Sequence, residues 1–146
     1  MRSHPRILIF FLIVIILIVF LVMCRSEIQH KIIQQSLNYS KSGLKEVFLT
    51  QDNKVKVGEK LVAQINYPYS SIQNQFQAEF DTNMLERGFT RSFRLQPGVW
   101  QGEAVTLYAF KAKKVGKTRI RLYDSSRIDE SGKSAQEFVF DIEILP

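Results

Sequence analysis

The sequence predicts an immunoglobulin-like β-sandwich of about seven strands, preceded by one N-terminal transmembrane helix and a short stalk. Three observations lead there. Residues 7–24 are apolar throughout, with no charge, Gly or Pro. Residues 25–43 place Ile28, Ile32, Ile33 and Leu37 at helical spacing. From residue 44 onward apolar and polar residues alternate with a period of two, in short runs separated by turn residues. The expected organisation is a cytoplasmic N-terminus over 1–6, a signal anchor over 7–24, a stalk and linker over 25–43, and one all-β domain over 44–146.

As a helix, the apolar run spans about 27 Å at ~1.5 Å per residue, close to a hydrocarbon core of ~30 Å. A buried helix in so small a protein would show a polar face, and this run has none. It is long for a cleaved signal peptide and lacks a small-residue cleavage site. Leu21-Val22-Met23-Cys24 has the outline of a lipobox, but Met23 stands where a small residue is needed. Lipidation at Cys24 is therefore the weaker reading, and an uncleaved anchor the better one. Arg2, Arg6 and the terminal amine sit just before the run, which favours a cytoplasmic N-terminus and an extracytoplasmic C-terminal domain, periplasmic or extracellular.

The net charge of +6 is uneven. Residues 43–146 hold fifteen Lys and Arg against thirteen Asp and Glu, while residues 1–42 hold five against Glu27 alone. Much of the basic excess flanks the membrane run, so it reads as a topology signal and not as a nucleic-acid surface. No nucleic-acid motif is present.

Strands are expected at 47–49, at 54–65 with a break at Gly58-Glu59, and at 75–80, 89–95, 103–112, 118–123 and 138–144. The strand at 103–112 is apolar on both faces, as a central strand should be. With 118–123 and the turn at Gly116 it is expected to form the hairpin around which the sheets are built. Most of the eleven Phe are expected to point into the core.

Catalytic chemistry has little to work with. His4 and His30 flank the membrane run, so Ser-His-Asp and His-metal constellations are excluded from the β domain. The single cysteine, Cys24, permits neither an intramolecular disulfide nor a thiolate zinc site. Val115-Gly116-Lys117-Thr118 echoes a phosphate loop, but Lys111 replaces its first Gly and a strand follows in place of a helix. Asp124, Asp129 and Glu130 share one loop without the ligand spacing of a calcium site, and read as solvated. The expectation is a non-enzyme without cofactor or metal.

Binding by loops remains. Three loops are expected to gather at one end of the sandwich. They offer Tyr67, Pro68, Tyr69, Ser70 and Ser71 in the first, Gly98, Val99, Trp100 and Gly102 in the second, and Arg127 in the third. Tyr and Trp are the usual anchors of protein interfaces.

Val57-Gly58-Glu59 opening a strand, the Pro68 loop, Gly98 and Gly102 come in the order and spacing of a known family. So do Phe110-Lys111-Ala112, Gly116, Ile120-Arg121-Leu122-Tyr123 and Phe138-Val139-Phe140. Over about residues 55–145 this pattern resembles the chagasin-type inhibitors of papain-like cysteine peptidases. The resemblance implies a protein partner, a cysteine peptidase, whose cleft three loops would block. Two of those loops depart from the family pattern. Ser70 and Ser71 follow Pro68 where the family has Thr-Thr-Gly, and Tyr123 is followed by Asp124-Ser125-Ser126-Arg127 where it has Arg-Pro-Trp. The alternative function is therefore a non-inhibitory structural or adaptor subunit of a cell-envelope complex on the same scaffold.

Overall fold

A computed structural model describes residues 5–69, 76–96, 102–127, 134 and 136–146; side chains are described from Phe11 onward, those of Tyr69 and Arg127 excepted. Helix α1, Pro5–Lys41, is one unbroken helix of 37 residues. At ~1.5 Å per residue it is about 55 Å long, well beyond what a bilayer core requires. Its apolar part reaches a mean hydropathy of 2.7, and it is the one helix among the described residues long and apolar enough to cross a membrane. It ends where Gly43 adopts φ +74°, a left-handed conformation glycine reaches without strain. The Leu44 N–H donates to the Lys41 carbonyl at 3.0 Å, closing the last turn.

Eight strands follow in two four-stranded sheets. They are β1 (Lys45–Val47), β2 (Asn53–Lys56), β3 (Lys60–Tyr69), β4 (Phe76–Phe80), β5 (Leu85–Arg94), β6 (Gly102–Ala112), β7 (Gly116–Asp124) and β8 (Glu137–Leu145). The first sheet has the order β1-β3-β6-β5 and the second β2-β8-β7-β4. β1 lies parallel to β3 and β2 parallel to β8, and the other pairs are antiparallel. The expected β-sandwich is what forms, and its core lies between the sheets. Leu61, Ile65, Leu85, Phe110, Ile120, Leu122, Phe140 and Ile144 are fully buried there.

Three details differ from expectation. The stretch 54–65, read as one interrupted strand, is two strands in opposite sheets. Gly58 at φ +83° carries the chain across, and Glu59 closes the turn by accepting the Lys56 N–H at 2.8 Å.

The expected hairpin at Gly116 does not exist. β6 and β7 are interior strands of different sheets, and residues 113–115 cross between layers. A tight two-residue hairpin of the commonest kind needs φ > 0 at both central positions. Lys113, Lys114 and Val115 all have negative φ, and only Gly116 is positive, at +143°. The Lys113 N–H instead donates to the Met84 carbonyl at 2.8 Å, tying the crossover to the β4–β5 turn.

The third correction concerns the Phe residues. Phe76, Phe80, Phe110, Phe138 and Phe140 belong to the inter-sheet core. Phe89 and Phe93 point the other way, with Leu95, Val62, Val105 and Leu107, onto the outer face of the first sheet. Leu37 of α1, 7% exposed, and Leu44 cover them. β6 is apolar on both faces because both are covered, one by the second sheet and one by the end of the helix. The expected amphipathic stripe is correspondingly rotated. Leu37 and Ser40 face the sheet, while Ile28 and Ile32 are more than half exposed.

The outer face of the second sheet is polar. Arg121 bonds Glu137 with two nitrogens, at 2.8 and 3.1 Å, and Glu79 with a third, at 3.0 Å. These hydrogen bonds, Glu137's first, raise the guanidinium pKa further, so the group is charged at any working pH. Arg119 pairs with Asp141 at 2.7 Å. Exposed pairs like these contribute little to stability and keep the face soluble.

Candidate functional site

Strand register places the ends of the candidate loops. In the first sheet, Tyr69 at the end of β3 lies opposite Gly102 at the start of β6, and Arg94 at the end of β5 lies opposite Ala104. In the second, Phe76 at the start of β4 lies opposite Asp124 at the end of β7, and Tyr123 opposite Glu137. The two ends are one end of the sandwich. The Tyr67 and Phe76 rings meet across the layers at 4.7 Å, and Phe76 and Phe138 at 5.9 Å. The connections 70–75, 97–101 and 125–136 therefore start and finish side by side.

Of the candidate site residues, Tyr67 is half-buried. Its ring packs on Phe76 and its hydroxyl meets Thr106 Oγ1 at 3.2 Å, so it supports the edge from beneath. Pro68 is exposed on β3, in register with Glu103. The Tyr69 backbone ends that strand, and Gly102 opens β6 half-buried. Arg127 closes a 3-10 turn, Ser125–Arg127. Ser70, Ser71, Gly98, Val99 and Trp100 lie outside the described residues. The rigid rim of the candidate site is thus Tyr67, Pro68, Arg94, Gln96 and Gly102 in one layer, and Phe76, Asp124 and Gln136 in the other.

Asp124 differs from its sequence reading as a solvated loop residue, for it is fully buried. Its Oδ1 accepts the Ser126 N–H at 3.0 Å and the Ser126 hydroxyl at 2.6 Å. The buried Ser134 hydroxyl is 2.9 Å from both the Asp124 and Gln136 carbonyls. This network pins both ends of the third connection to the sandwich, at the charge-assisted strength of a carboxylate acceptor. Asp-Ser-Ser after a strand, an Asx-turn pattern, was the available sequence signal.

Tyr108 is the other buried polar anchor of this end. Its hydroxyl donates to the Phe76 carbonyl at 3.1 Å, fixing the start of β4. Burial, and secondarily Tyr67, push its pKa up to about 12 from 10.0. The raised value means the neutral phenol is favoured in the folded state. Its contribution to stability is complete below pH 10 and is lost as pH rises through about 12. Tyr108→Phe is expected to flatten this alkaline limb and, by removing the donor to the Phe76 carbonyl, to lower stability at neutral pH by about 1–3 kcal/mol, as measured by thermal denaturation between pH 7 and 12.

Among the described residues no three His, Cys, Asp or Glu side chains come together. What the rim offers is a scaffold that holds three connections in fixed register, suited to recognition of another surface.

No family model and no curated protein matches the sequence. Solved structures do match the fold. The crystal structure of EhICP2, a cysteine protease inhibitor from Entamoeba histolytica, aligns with a TM-score of 0.54 at 13% identity, covering 70% of this chain and 95% of that one. The solution structure of amebosin aligns with a TM-score of 0.45 at 12% identity, covering 70% and 97%. The two-sheet part of this chain is therefore similar in fold, over nearly the whole of the neighbour's length, to a chagasin-type cysteine protease inhibitor.

Proposed function

We propose that the protein is a membrane-anchored, extracytoplasmic binding module that presents three loops to a protein partner in the manner of a cysteine peptidase inhibitor. The observation that carries this reading is the register that brings connections 70–75, 97–101 and 125–136 to one end of the sandwich. The fold neighbour is itself described as a cysteine protease inhibitor. The run 7–24 within α1, apolar and uncharged throughout, supports an uncleaved anchor, with Cys24 inside a continuous helix. The basic residues before the run support a domain outside the cytoplasm.

The second reading, an adaptor subunit of an envelope complex, is favoured by the two loops whose sequences depart from the inhibitor pattern. Titration of a papain-like peptidase with residues 25–146 separates the two. Hydrolysis of a peptide substrate should slow as the domain is added. Unchanged hydrolysis at micromolar domain would overturn the inhibitor reading and leave the adaptor.

A further inference from the structure

Outside the apolar run, α1 carries more hydrophobic side chains than the sandwich uses. Leu37 is buried against the first sheet, and Ser40 beside it accepts the Arg91 hydrogen bond at 3.1 Å. Ile28, Ile32 and Tyr39 point elsewhere, and are 58%, 54% and 80% exposed. At 3.6 residues per turn they lie about 140–180° around the helix from Leu37. Among the described residues, neither hydrophobic cluster of the sandwich includes them. Ile is a poorer helix former than Leu, Lys or Gln, so local preference does not favour it at solvated positions of a stalk.

Their spacing says what can cover them. Ile28, Ile32, Gln35 and Tyr39 are separated by four, three and four residues, the alternation of a seam between two supercoiled helices. The same alternation leads back to Arg25 at the end of the apolar run and to Leu21, 62% exposed, within it. Arg25 has the length to turn its guanidinium out to the headgroups. The positions flanking such a seam are Gln29, Lys31, Ser36 and Asn38. In a parallel pair Lys31 of one helix meets Ser36 of the second copy, so no like charges oppose each other there. Two copies anchored in one membrane are held parallel and level by the span itself. The stripe then meets itself across a two-fold axis, with each sandwich on the outer side of its own helix.

We propose that, in the anchored chain, the stripe Ile28-Ile32-Gln35-Tyr39 pairs with that of a second copy to make a parallel dimer. This rests on the reading of residues 7–24 as an anchor. Four side chains per copy are far fewer than the roughly 20–30 residues a side of a stable interface. Confinement to the bilayer supplies the rest by raising the effective concentration. The detached piece 25–146 is therefore monomeric, and two sandwiches are presented together only at the membrane.

Cysteine crosslinking tests the pairing. The purified full chain with Cys24→Ser is placed in liposomes, carrying in turn Ile28→Cys, Ile32→Cys, Gln35→Cys or Tyr39→Cys on the stripe, and Glu27→Cys or Gln34→Cys off it. Oxidation should join more than about half of the chain through the stripe positions and at least about five-fold less through the other two, as side chains facing across a seam require. Ile32→Glu should abolish crosslinking through Ile28→Cys and leave the melting curve of 25–146 unchanged, because Ile32 belongs to neither cluster of the sandwich. Equal crosslinking at all six positions is random collision and overturns the proposal, as does its absence or a maximum off the stripe. In cell membranes, an adduct of any mass other than twice the chain puts a different protein on the stripe and overturns self-pairing. Alkaline carbonate extraction keeps two failures apart. A chain that stays in the membrane without crosslinking loses the pairing and keeps the anchor, whereas a chain that washes off loses both.

Discussion

Cutting the chain at residue 43 instead of residue 25 is expected to lower the stability of the sandwich by about 2–5 kcal/mol, the range for deleting a buried leucine from a core. The boundary at 43 is the natural one from sequence, where the polar linker gives way to the first strand. In the structure it removes Leu37, 7% exposed, from a cluster with Val62, Val105 and Leu107, and from the sides of Phe89, Phe93 and Leu95. The Arg91–Ser40 hydrogen bond and the Lys41–Glu46 ion pair go with it. The newly bared patch is contiguous and apolar, so the shorter domain should also self-associate. Urea denaturation of 25–146 and 43–146, with light scattering alongside, reads both effects. Equal midpoints and equal solubility would mean that the helix covers the sheet without stabilising it.

Gly116→Val should cost roughly 2–4 kcal/mol, for two separable reasons. At φ +143° the backbone lies in a region that residues with a Cβ seldom occupy, and a Cβ built there comes within 2.9 Å of Met84 Cε. Met84→Ala in the same chain removes the clash but leaves the backbone strain. The double-mutant cycle should therefore recover part of the loss and not all of it. Full recovery would show that the crossover tolerates a side chain and that glycine is needed only for space.

The sequence carried these strand positions well, because the expected runs 103–112, 118–123 and 138–144 reappear as β6, β7 and β8 with ends shifted by no more than two residues. It carried less about what those strands face. Parity puts Phe89, Phe93 and Leu95 on one side of β5, but a strand covered on both sides has two insides, and parity does not choose between them. The turn at Gly116 was ambiguous for a similar reason. A short basic segment ending in glycine suits a hairpin or a crossover, and the deciding bond, Lys113 to the Met84 carbonyl, joins residues 29 apart in sequence.

For the candidate site, the gathering of three loops at one end follows from strand order and was legible. The part played by Asp124 was not, because an Asp after a strand looks solvated until Ser126, Ser134 and the Gln136 carbonyl are seen around its backbone and carboxylate. Trp100 was singled out by being alone in composition, and Tyr67 by its neighbours. Only the fold distinguishes the second as a support for the rim.

The parallel pairing of β1 with β3 has a mechanical meaning. Once the contacts of Leu37 and Ser40 with the sheet have given way, a pull between the helix and the sandwich enters through Gly43 and then through the three residues Lys45–Val47, at the margin of the first sheet. That short ribbon gives the inter-sheet core one side chain, Val47. Under load it can peel away and lengthen the leash by several residues before β2, locked beside β8 in the other layer, feels any strain. The sandwich is hung from a part it can lose.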